Sequence, residues 1–216
     1  MGNIRNLDIE PYITEYKTAI FFELGSGYGT GIYHVLQFPF QKIVSVEIEK
    51  DQAELLQKVF RFDQRVMVVN ALSRDALRQI LPQIPVHIPI FFFCDAHFPG
   101  ADLGKRGFAD EQDENIRMPL YEELQIIKEL RVDKGAKDFI LIDDIMLYDD
   151  ENEYEASHQK ANMDILPRDK RNYLKKFVEM FDTTHDSELI TQEQGYLLFH
   201  PVLNSNLGRD FKIELC

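Results

Sequence analysis

The sequence predicts an α/β protein: a doubly wound, mostly parallel sheet with an antiparallel strand at its end, in three αβα layers. Three observations carry the prediction. Five short runs rich in β-branched and aromatic residues recur through the first two thirds of the chain. Segments with helical spacing separate several of them. Near the end, two β-like runs flank a short turn that contains glycine. Strand–helix alternation is the mark of parallel pairing with crossover helices, and right-handed crossovers put helices on both faces.

The elements follow in order. Residues 1–18 are a polar lead-in, irregular or helical. Ala19–Leu24, Lys42–Val46, Val66–Val69, Ile88–Cys94 and Phe139–Ile142 read as strands apolar on both faces. Gln52–Phe60, Asp75–Leu81 and Leu120–Leu130 repeat apolar residues at helical intervals, and Pro167–Phe181 reads as one more helix with Pro167 near its first turn. Ser187–Thr191 and Tyr196–His200 form a hairpin across Gln192–Gly195. Segments 98–115 and 147–165 are too polar to be elements and too long for plain connections, which marks them as active-site loops. Residues 201–216 are a tail, and the whole chain is expected to be one domain.

Composition narrows the function. Twenty-four Lys and Arg against 37 Asp and Glu leave a formal charge of −13. A surface this acidic repels phosphate backbones, so no nucleic-acid partner is expected. No run of about 18 apolar residues offers a membrane span, and the N-terminus has no signal-peptide core. The two cysteines, Cys94 and Cys216, make neither a disulfide framework nor a metal spacing. A reduced, cytoplasmic setting follows. The oligomeric state stays open, a homodimer being one option.

The stretch Glu23-Leu24-Gly25-Ser26-Gly27-Tyr28-Gly29-Thr30-Gly31 lies where the first strand turns into a helix. Glycines there let a ligand approach the main chain. The dinucleotide spacing Gly-x-Gly-x-x-Gly fits no register, because position 30 is Thr30 and position 32 is Ile32. That disfavours a nicotinamide-dependent dehydrogenase. The second strand ends in Glu47, a carboxylate able to accept both hydroxyls of a ribose lying across the strand ends. A helix-start acid is the plainer role, and Glu49 suits it better.

The Glu-x-Gly-x-Gly-x-Gly loop resembles motif I of class I S-adenosylmethionine-dependent methyltransferases, and Val-Ser-Val-Glu-Ile-Glu resembles their second motif. The resemblance spans about residues 19–200 in element order and implies a seven-stranded sheet with an antiparallel last strand. It implies S-adenosyl-L-methionine as cofactor, with Gly25, Gly27 and Gly29 beneath it, Glu47 on its ribose, Glu23 near its methionine end and Asp95 in the same cleft. Where many members carry an adenine-reading acid, this chain has Leu72. Adenine recognition then falls to backbone and Ser73, unless Ser73 only caps the next helix.

The fourth strand ends in Cys94-Asp95-Ala96-His97 and the fifth in Ile142-Asp143-Asp144. Neighbouring strands lie about 4.8 Å apart. Asp95, Asp143 and Asp144 are therefore expected to converge, and a divalent cation, Mg²⁺ foremost, would neutralise them. Helix capping by Asp143 or Asp144 is the alternative. The pattern is similar to that of metal-dependent small-molecule O-methyltransferases, including those acting on sugars and antibiotic precursors. Asp95 and His97 share a face and form the candidate catalytic pair. His97 takes a proton from an acceptor hydroxyl, ligates the metal, or is simply bonded within its loop. Arg117 is expected to pair with Glu122 or Glu123 at the surface, or to reach an anionic acceptor. The resulting expectation is metal-assisted O-methylation of a small polar acceptor. A non-catalytic module of the same fold and a protein methyltransferase stand as alternatives.

Overall fold

The computed structural model describes residues 4–101, 103–107, 110–155 and 172–202. Seven strands make one sheet: β1 (Ile20–Leu24), β2 (Lys42–Glu47), β3 (Val66–Asn70), β4 (Ile90–Cys94), β5 (Phe139–Ile142), β6 (His185–Ile190) and β7 (Tyr196–Pro201). Their order is β3-β2-β1-β4-β5-β7-β6. The first five pair in parallel, while β7 runs antiparallel to both β5 and β6. The fold class read from the sequence is the one observed.

Every residue of β1, β4 and β5 is buried, which is why β4 and β5 read as unbroken apolar runs and β1 is broken only by Glu23. Alternate side chains feed two cores on opposite faces of the sheet. Phe22, Phe92, Ile140 and Phe199 enter one; Phe21, Phe91, Phe139 and Leu198 enter the other. Helices α1 (Glu10–Tyr16), α2 (Thr30–Val35), α3 (Lys50–Phe60), α4 (Ser73–Ile80), α5 (Glu114–Arg117), α6 (Leu120–Leu130) and α7 (Leu174–Phe181) cover the faces. The lead-in is helical at α1, and it buries Ile4, Leu7, Ile9, Tyr12 and Ile13 against the second core. The expected start of the last helix at Pro167 lies outside the described residues, as do most of segment 147–165 and the tail beyond 202. Among the described residues no helix is long and apolar enough to cross a membrane.

Below the sheet's amino-terminal edge lies a buried ion pair. Arg131, at the end of α6, donates from Nε and Nη2 to the two oxygens of Asp138 at 2.8 and 2.9 Å, and both side chains are fully buried. The guanidinium also donates to the carbonyls of Ile84, Pro85 and Ile88. Asp138 accepts the Ile90 N–H at 2.8 Å. Its backbone carbonyl lies 3.0 Å from His185 Nε2, which must carry the proton because a carbonyl only accepts. Burial keeps the His185 pKa low. One guanidinium thus ties the approach to β4 to the residue before β5, and the Asp138 backbone carbonyl adds β6 through His185.

Candidate active site

Strand order reverses between β1 and β4, and a cleft opens at their carboxyl ends, the position ligands take in open α/β sheets. The registers Leu24↔Cys94 and Cys94↔Ile142 bring Gly25, Asp95 and Asp143 level with one another. The cleft encloses about 710 Å³ including its open mouth and is lined by Gly25, Gly27, Glu47, Ser73, Asp95 and His97, among others. Six of the residues singled out from the sequence therefore meet on one surface.

The glycine loop is shaped by its neighbours. The N–H groups of Gly25 and Ser26 both donate to the Val46 carbonyl at 3.0 Å. Gly25 has φ +93°, and a Cβ there would lie 2.2 Å from the Asp95 carbonyl oxygen. The loop and the β4 end can approach this closely only through a glycine. Glu47 accepts the Gly27 N–H at 3.0 Å on Oε2 and the Glu49 N–H at 2.8 Å on Oε1. A carboxylate has about four acceptor positions, so capacity remains toward the cleft. Burial raises the Glu47 pKa, partly offset by these two backbone donors.

Glu23 sits elsewhere. It does not line the cleft; it is buried under α2, accepting a short hydrogen bond from Ser45 Oγ. Ser45 Oγ in turn lies 2.5 Å from Ser26 Oγ. A Cβ at Gly31 would strike Glu23 Oε1 at 1.9 Å, which gives the last glycine of the motif a packing role. Burial pushes the Glu23 carboxyl up to about 8, so it is mostly protonated at neutral pH. The two serines join Glu23 to the glycine loop.

His97 is clamped between two acids: Nε2 lies 2.8 Å from Asp144 Oδ2 and Nδ1 lies 3.4 Å from Asp95 Oδ1. One ligand atom from each of Asp95, His97 and Asp144 falls within 4.8 Å of the others. The expected set was Asp95, Asp143 and Asp144, and the structure corrects it: His97 takes the place of Asp143. Asp143 is fully buried, and its Oδ1 accepts the Asp144 N–H at 2.8 Å. Burial, reinforced by Asp144, pushes its pKa well up. The exchange happens because Asp144 adopts the left-handed conformation, φ +51°, rare outside glycine. The turn swings Asp144 toward His97 and leaves Asp143 beneath. Asp144 Oδ1 is buried with no hydrogen-bond partner. The turn is held from the far side by the hairpin tip, where Ile145 and Met146 donate to the carbonyls of Gly195 and Gln194 at 3.0 Å.

Sequence reasoning passed over Glu123. This α6 residue is buried, not a surface partner of Arg117. Arg117 instead lies 3.9 Å from Glu114, and Glu122 binds Arg74 and Arg78. Glu123 Oε1 is buried without a hydrogen-bond partner, and burial raises the Glu123 pKa to about 7. With Cys94, His97, Asp143 and Tyr148 it lines a small cavity behind His97. Ser73 is not a cap: the capping position of α4 is Leu72, and no side chain caps it. Phe98, Pro99, Gly100 and Leu103 line one wall of the cleft. Lys105 and Arg106 tie it to Glu49.

No family model matches the chain, and no curated protein matches it in sequence. Its structure is similar to solved ones. A Staphylococcus aureus protein assigned as a caffeoyl-CoA O-methyltransferase superposes with TM-score 0.52 at 11% identity, over 90% of this chain and 81% of that one. The Methanococcus jannaschii fibrillarin pre-rRNA processing protein gives 0.51 at 12% identity, over 92% and 71%. A Podospora anserina methyltransferase bound to S-adenosylhomocysteine gives 0.50 at 14% identity, over 88% and 75%. At these identities the likeness is one of architecture, and the chain has the Rossmann-like fold of the class I methyltransferases.

Proposed function

We propose that the chain is an S-adenosylmethionine-dependent methyltransferase acting on a hydroxyl of a small polar acceptor. The observation that carries this is the cleft itself: a glycine loop, a strand-end carboxylate with spare acceptor capacity and an Asp–His–Asp cluster line one surface at the switch point. The residues fit the cofactor. The Gly25–Gly27 backbone leaves room for close approach, and Glu47 faces the cleft as an acceptor for two ribose hydroxyls.

When bound, the cofactor would supply a methyl group on a sulfonium, whose carbon–sulfur bond would break, sulfur keeping the electron pair, as the acceptor oxygen bonds to the carbon. The protein's tasks are alignment and removal of the acceptor proton. His97 is equipped for the second. An acid stands beside each ring nitrogen, Asp144 Oδ2 at 2.8 Å from Nε2 and Asp95 Oδ1 at 3.4 Å from Nδ1, and these hold the imidazole at the cleft wall. A divalent cation is the second reading of the cluster. Its donors would be Asp95, His97 and Asp144, and the orphaned Asp144 Oδ1 favours it. Such an ion would lower the pKa of a hydroxyl bound to it.

Calorimetry tests the cofactor. S-adenosylhomocysteine is expected to bind the wild type, and Glu47→Ala to weaken it about 10- to 100-fold, the value of charge-assisted hydrogen bonds. An unchanged dissociation constant would remove Glu47 from the site. The ion is tested by melting. Millimolar Mg²⁺ or Mn²⁺ is expected to raise the Tm by mass action, and Asp144→Asn to lose most of that rise. No stabilisation of the wild type by any hard divalent ion leaves proton removal to His97 alone.

A further inference from the structure

We propose that the exposed face of α3 is a dimer interface, on which two copies of this chain cross with their α3 helices antiparallel about a two-fold axis. Among the described residues seven large apolar side chains are exposed, and five of them belong to α3 and its surroundings: Tyr28, Tyr33, Leu55, Val59 and Phe62, the last 81% exposed. Two glutamines orient the helix. Gln57 donates to the Val68 carbonyl of β3, whereas Gln52 donates to the Gly27 carbonyl on the glycine-loop side. Leu55 and Val59 follow Gln52 at helical intervals, so they form an outward stripe on the glycine-loop side. Phe62 extends that stripe past the helix end. Tyr33 of α2 adjoins it, packed edge-on against Phe60 at 4.7 Å. None of the five lines the cleft. Monomers seldom leave such a patch in water, and aromatic side chains are enriched at interfaces.

Charge identifies the occupant. The chain carries a formal −13, so two copies repel over most of their surface. The outer side of α3 is balanced instead, with Lys50, Lys58 and Arg61 exposed beside Asp51 and Glu54. Their order matters. Glu54 and Lys58 stand two residues either side of position 56, and Asp51 and Arg61 stand five residues either side of it. An antiparallel crossing centred there sets each acid of one copy opposite a base of the other. A parallel crossing would oppose like charges, which is costly. In an antiparallel pair each flank meets its own copy, so Leu55 and Val59 also meet across the axis. Asp51 already holds Lys105. Glu54 lies 3.9 Å from Lys50, at the limit of an ion pair. Glu54 and Lys58 are therefore the pair that decides the geometry.

Sedimentation of the whole chain from about 1 to 100 μM tests the proposal. The wild type is expected to become dimeric over this range. Val59→Glu should weaken the dimer about 10-fold or more and leave the Tm near wild type, because the side chain is exposed in a single copy. Glu54→Lys and Lys58→Glu should each weaken it about 10-fold or more, by setting like charges across the axis. Mixed in equal amounts, these two variants should dimerise with each other, since every acid again meets a base. The double variant should recover as well. A wild type that stays monomeric throughout would overturn the proposal and leave the face to a different protein. A dimer that survives Val59→Glu and both charge variants would overturn it too, because the contact would lie elsewhere. Loss in Val59→Glu with both charge variants still dimeric would overturn the antiparallel crossing.

Discussion

Arg131→Met is expected to destabilise the protein by about 3–5 kcal/mol, the usual cost of stripping one partner from a buried ion pair. Asp138 would be left ionisable, fully buried and without its cation, and three carbonyls would lose their donor. For a chain of 216 residues this corresponds to a fall in Tm of roughly 6–20 °C. Adding Asp138→Asn should recover part of the loss, because an amide still accepts the Ile90 N–H but carries no charge to strand. A single variant that melts within a degree or two of the wild type would show that the network is not holding the three strands.

The second large effect is on turnover. His97→Asn should leave S-adenosylhomocysteine binding and the Tm near wild type and slow methyl transfer by about 10²-fold or more, the ordinary contribution of a positioned base. The asparagine can keep one hydrogen bond to Asp144 but cannot take a proton. An acceptor found by screening is required. Turnover close to wild type would remove proton transfer at His97 from the reaction. A variant that unfolds would assign the 2.8 Å contact with Asp144 to structure instead.

Strands were legible in the sequence because β1, β4 and β5 are buried on both faces, so β4 and β5 carry no polar residue and β1 carries only Glu23. The glycine loop and Glu47 were legible because backbone approach and a strand-end carboxylate leave local marks. Asp143 and Asp144 were not separable. Strand alternation ends at Ile142, and the left-handed turn at Asp144 leaves no signature in residue type. Glu123 had a signal that went unread. In α6, Leu120, Leu124 and Ile127 define the buried stripe, and Glu123 falls on that stripe by helical spacing. An acid on an apolar face is the observation to pursue. Glu23 misled in the opposite way: its place in the motif points to the cleft, whereas Ser45 and Gly31 enclose it.

The hairpin tip has a consequence for the order in which the protein matures. Chains emerge from the ribosome amino-terminus first, at about 5–20 residues per second. The glycine loop, β2 and β4 are all available early. The turn carrying Asp144 is braced by Gln194 and Gly195, and β5 gains its second neighbour only when β7 arrives. Contacts this distant in sequence form slowly. A nascent chain can therefore assemble the glycine loop and the Glu47 strand end before it can assemble the Asp144 turn. On the proposed function, the elements expected to bind would assemble before those expected to react, and β7 separates the two.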